Sequence, residues 1–76
     1  MQTQQMNEQF LYAYLTVKQF VAKHPAFNVG GIRNLIFLEH KNGLVKSGAI
    51  VRIGRKVLID ETKFFSWVEL QNGGAK

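Results

Sequence analysis

Two β-branched runs, Ala49-Ile50-Val51-Arg52-Ile53 and Lys56-Val57-Leu58-Ile59, stand on either side of the dipeptide Gly54-Arg55. A two-residue loop that opens on glycine favours the tight turn whose twist matches two antiparallel strands, so this stretch specifies a β-hairpin. A hairpin alone is only marginally stable in water. The rest of the chain must therefore offer a surface on which its apolar side can pack. Asp60, directly after the second strand, can cap a helix, and Phe64, Phe65, Trp67, Val68 and Leu70 supply that helix with a buried face. Trp67 is expected to anchor the core rather than to stack on a ligand.

Upstream, Thr16 followed three residues later by Gln19 is a capping box, and Val17, Phe20 and Val21 form one apolar stripe. The spacing predicts a helix from Val17 to about Lys23, ended by Pro25. A second helix follows Asn28, its cap, with Ile32, Leu35 and Ile36 inward and Leu38 or Glu39 continuing the stripe. Gly30-Gly31 serves as its tight opening. It should end near His40 or Lys41, with Asn42-Gly43 as a left-handed exit. GLVKSG then reads as a loop or short extended piece, and FLYAYL, before Thr16, as a brief strand or packing arm. The polar ends, residues 1–11 and 71–76, read as flexible tails around a single domain over residues 12–70.

The charge pattern narrows the partner. The formal charge is +5, and residues 41–59 hold Lys41, Lys46, Arg52, Arg55 and Lys56 without a single acid. A local basic block of this kind suits a polyanion. Charge on a hairpin also keeps an exposed strand from pairing with another edge, and the two roles are compatible. No aromatic-rich sheet face offers RNA bases a stacking platform.

Other classes find little footing. There is no cysteine, which excludes disulfides and thiolate metal sites and fits a cytoplasmic protein. His24 and His40 have no carboxylate at ligand spacing, and Ser47 and Ser66 have no evident base, so neither a metal nor a catalytic centre is expected. Gly30-Gly31 lacks the lysine of a phosphate-cradling loop. No apolar run is long enough to span a bilayer, so no membrane partner is expected, and no motif implies a cofactor or a small-molecule substrate.

Helix, turn, helix, basic hairpin, helix is the order of a winged helix-turn-helix: an α+β, mostly α fold with three helices and a two-stranded wing. In that architecture the second helix, here about Gly31–His40, enters the major groove while the wing holds the adjacent backbone or minor groove. The segments YLTVKQFVAKHP, GIRNLI and SGAIVRIGRKVLIDETKFFSWV resemble the small excisionase-like, MerR-related DNA-binding domains of phages and integrative elements. The resemblance covers about Tyr14 to Val68 and is most specific over IVRIGRKVLID. It implies that Arg33 and Asn34 occupy base-reading positions and Arg52, Arg55 and Lys56 wing positions. The connection FLEHKNGLVKSG is longer than in many relatives and either extends the helix or adds a basic loop.

Phe37 joins Arg33 and Asn34 on the exposed face of the second helix, and Lys18, Lys41 and Lys46 complete the candidate backbone contacts. The expected function is sequence-specific binding of double-stranded DNA by an excisionase-type architectural factor or a transcriptional regulator of a mobile element. Its partners would be an integrase or further copies on adjacent sites. The alternative is a protein-interaction module that recruits a recombinase or transcription partner through Phe37 and the tails.

Overall fold

A computed structural model describes residues 14–73; the expected tail over residues 1–11 and the last positions of the C-terminal one lie outside the described residues. Along the chain the elements are β1 (Tyr14–Leu15), α1 (Val17–Lys23), α2 (Val29–Phe37), α3 (Glu39–Asn42), α4 (Leu44–Ser47), β2 (Ile50–Ile53), β3 (Lys56–Asp60) and α5 (Glu61–Asn72). The result is a small α+β domain, mostly helical.

Local polar signals set the three longer helices. The Thr16 hydroxyl accepts from the Gln19 amide at 3.1 Å and Gln19 Oε1 accepts from the Thr16 amide at 3.0 Å, which closes the expected capping box of α1. Asn28 Oδ1 accepts from the Gly31 amide at 2.7 Å to open α2, and Asp60 Oδ1 accepts from the Lys63 amide at 3.1 Å to open α5. Asn28 makes the opening of α2, as its place in the sequence predicts. Gly30 and Gly31 are exposed residues of its first turn, outside the positive-φ region.

The connection from α2 to the hairpin departs from expectation. The second helix does not run to His40: it breaks at Leu38, the single-turn α3 stands where its last turn was expected, and the single-turn α4 replaces the loop or extended piece expected of GLVKSG. Asn42 is the hub that makes this possible. Its Nδ2 donates to the Leu35 carbonyl at 3.0 Å, at the broken end of α2. Its Oδ1 accepts from the Leu44 amide at 2.9 Å, and its carbonyl accepts from Trp67 Nε1 at 3.0 Å, which lets the indole be buried. Gly43, with φ of 84°, turns the chain between the two short helices in a conformation that a side chain would disfavour. Leu44 thereby points into the core, fully buried. At the far end, α5 continues through Asn72, two residues past the expected domain boundary.

The hairpin joins a three-stranded antiparallel sheet in the order β1-β3-β2, not the two-stranded one expected. Tyr14 pairs with Asp60 and Leu15 with Ile59, because the short strand ahead of Thr16 lies along the open edge of β3. On the other side Ile50 pairs with Ile59, Val51 with Leu58, Arg52 with Val57 and Ile53 with Lys56. Directly paired residues share a face. Leu15, Ile50 and Ile59 face the helices, and Arg52 and Val57 extend that same face toward the turn.

Phe20, Ile32, Leu44, Ala49, Ile59, Phe64 and Trp67 form the buried core, and Leu15 of β1 and Ile50 of β2 pack against it, so among the described elements α3 alone adds no apolar side chain to it. Beside it, Glu61 accepts from Lys23 Nζ at 3.1 Å and lies 2.5 Å from His24 Nε2, joining the end of α1 to the start of α5. The His24 ring packs on Phe20 and Phe65, with centroids 4.8 and 4.9 Å away. Burial pushes the Glu61 carboxyl up, but the hydrogen bonds from His24 and Lys23 outweigh it and hold the carboxyl below its ordinary value. A depressed carboxyl stabilises the fold at neutral pH, and that contribution is lost as pH falls through the lowered value. Thermal melts from neutral to strongly acid pH should therefore show a shallower acid decline in Glu61→Gln than in the native chain.

Candidate nucleic-acid interface

The amphipathicity of α2 determines what it shows to solvent. Ile32 is buried and Leu35 and Ile36 half-buried, so Arg33, Asn34 and Phe37 fall together on the exposed side. Phe37 is 82% exposed, an unusual position for a ring of that size. His40 and Lys41 are exposed too, but they belong to α3, beyond the break at Leu38, and do not continue the α2 stripe.

Gly54, with φ of 59°, makes the hairpin turn expected for glycine at the first loop position, since Arg55 keeps a negative φ. Arg55 and Lys56 are exposed at the tip. Arg55 and Val57 from the hairpin, Arg33 and Ile36 from α2, and Val17 from α1 line one open groove of about 270 Å³. Two guanidinium side chains far apart in sequence thus border the same recess, whose remaining lining is apolar. A larger hollow of about 620 Å³ lies along α5, lined by Ser66, Val68, Glu69, Leu70, Asn72 and Gly73; it holds no cation and none of the expected site residues.

Arg52 is placed differently from the other hairpin cations. Its Nη1 and Nη2 donate to Glu39 Oε1 and Oε2 at 3.3 and 2.5 Å, a two-pronged pair between β2 and α3. Glu39 is only 5% exposed. The hydrogen bond to Glu39 raises the Arg52 pKa above its ordinary value, against the opposing effect of burial. Arg52 was expected on the outside of the hairpin as a phosphate contact; half of its side chain is exposed, but its fork has an internal partner.

The remaining predicted cations, Lys18, Lys41, Lys46 and Lys56, are exposed, and among the described residues neither they nor Arg33, Arg55 and Lys63 enter an ion pair. Among the described residues the acids are mostly consumed internally: Glu39 by Arg52, Asp60 by the α5 cap, Glu61 by Lys23 and His24, which leaves Glu69 exposed on α5. The sequence pattern gives Glu39 only as a continuation of the α2 stripe, Asn42 only as the helix exit and Glu61 no role; their partners Arg52, Trp67, Lys23 and His24 lie far along the chain. Among the described residues no three His, Cys, Asp or Glu side chains gather as metal ligands, and no helix is long and apolar enough to cross a membrane.

Comparison with protein-family models, with curated proteins and with solved structures finds no match to this chain.

Proposed function

We propose that the protein binds double-stranded DNA as a winged helix-turn-helix, α2 acting as recognition helix in the major groove and the β2–β3 hairpin as the wing on the adjacent backbone or minor groove. The role that fits the resemblance in its motifs is that of an excisionase-type architectural factor or a transcriptional regulator of a mobile element. One observation carries the reading: Arg33 on α2 and Arg55 at the hairpin turn border a single groove. A helix that reads bases and a loop that holds phosphate must act on the same stretch of duplex, so their cations have to converge. Arginine at the helix suits guanine and Asn34 suits adenine, while Arg55, Lys56 and Lys18 suit phosphate. One such helix reads few base pairs, so specificity would come from further copies on adjacent sites or from an integrase bound beside it.

A fluorescence titration of the full chain with random-sequence duplex, at low and moderate salt, tests this. Binding should be detectable at low salt and fall with a log-log slope of about −3 to −4, the value for three or four neutralised phosphates at roughly −0.9 each. Absence of binding at low salt would favour a protein-interaction module, for which the 82% exposed Phe37 is the natural anchor. Selection of bound sites from random DNA would then give the operator and the spacing of copies.

A further inference from the structure

Building on the duplex-binding reading, we infer that Glu39 is a positioning residue of that surface: its buried carboxylate holds the Arg52 guanidinium and so fixes the hairpin relative to the end of α2. Glu39 is the first residue after the break at Leu38, and both of its oxygens engage the Arg52 fork. The hairpin makes its most extensive packing with β1, α1, α4 and α5, none of which carries Arg33. Among the described residues, the Glu39–Arg52 pair is the one polar side-chain link between the α2–α3 segment and the hairpin. Arg52 lies on the strand that leads into Gly54-Arg55, so an anchor at Arg52 sets where the turn, and with it Arg55, stands across the groove from Arg33.

A buried ion pair is weak support for stability, since well-packed apolar side chains usually serve a small core as well or better. Geometry is the better reason for this one. The planar guanidinium meets a carboxylate in a single orientation, which an apolar contact would not impose. Three of the five donors of the guanidinium are left over, and the side chain is half-exposed.

The sign of one substitution separates this role from simple electrostatics. Glu39→Gln removes a negative charge beside a surface that binds a polyanion, which by charge alone should tighten binding. Loss of the two-pronged pair should loosen the hairpin and weaken binding instead. The experiment titrates fluorescent random-sequence duplex at low salt with the native full chain, E39Q, R52K and R55A, at a temperature where melts show each to be folded. E39Q and R52K are each expected to raise Kd about tenfold, the equivalent of one charge-assisted hydrogen bond. Both should keep the native salt slope, because no phosphate contact is removed, whereas R55A should flatten it.

Folded E39Q that binds as tightly as the native chain, or more tightly, overturns the inference and leaves the duplex reading standing. Native-like affinity in R52K overturns it as well, since charge without the fork would then suffice. A native chain that does not bind duplex fails the underlying reading first, and the role of Glu39 falls with it. Should E39Q not fold, R52K decides, because its charge is retained at a half-exposed position.

Discussion

Phe20→Ala is expected to unfold most of the protein at room temperature, or to lower its melting midpoint by roughly 15–30 °C, while Phe37→Ala leaves the midpoint nearly unchanged. Both substitutions delete the same ring. Phe20 is fully buried and packs against Phe64 and Phe65, with centroids 4.8 and 5.7 Å away, and beside Phe27 at 5.6 Å. Emptying such a site costs about 3–5 kcal/mol in lost transfer energy and residual cavity. A fold of this size has a total stability of only a few kcal/mol, at about 0.05–0.15 kcal/mol per residue, and its midpoint moves by about 4–8 °C per kcal/mol. Phe37, 82% exposed, should stay within about 0.5 kcal/mol of native. Circular dichroism melts of the two variants side by side check the assignment. Comparable losses in both would mean that Phe37 is packed and that the exposed stripe of α2 is wrongly placed.

The contrast between those two phenylalanines was legible in the sequence, because α1 and α2 each repeat with a helical period, Phe20 falling on the apolar stripe of the first and Phe37 off that of the second. Capping was legible for the same reason. Thr16 with Gln19, Asn28 and Asp60 each act within three residues, so their chemistry is complete in the local string. The path from α2 to the hairpin was not. It depends on Asn42, whose side chain and carbonyl serve Leu35, Leu44 and Trp67, and the last of these lies far along the chain.

Arg52 shows where pattern reading stops. Strand alternation separates Ile50 and Arg52 from Val51 and Ile53, but both sets carry apolar residues, so the parity alone does not say which faces the helices. The pairing of Ile50 with the buried Ile59 decides it and turns Arg52 inward, toward Glu39. Glu39, in turn, stood in the string as an ordinary acid near the end of a helix. Only the break at Leu38 makes it a buried partner for a strand thirteen positions on. The convergence of Arg33 and Arg55 is likewise a product of tertiary packing.

That convergence gives the second large effect. Under the duplex-binding reading, Arg55→Ala should weaken binding to every sequence alike and reduce the magnitude of the salt slope by about one, as loss of a single phosphate contact requires. Arg33→Ala should leave that slope nearer native and relax the preference at one base pair, with about 1–3 kcal/mol of discrimination lost, or roughly 5–150-fold in relative affinity. The double variant decides whether the groove acts as a unit. Two contacts made to separated parts of a long site would lose affinity additively, within about 0.5 kcal/mol. Two cations that clamp one segment of duplex across a recess should not, because loss of either lets the segment shift away from the other. The double loss should then fall short of the sum of the single ones by about 0.5–3 kcal/mol. Equal slopes and equal base preferences in all three variants would remove Arg33 and Arg55 from the interface. The exposed lysines of α1 and α4, Lys18 and Lys46, would then be the surface to probe.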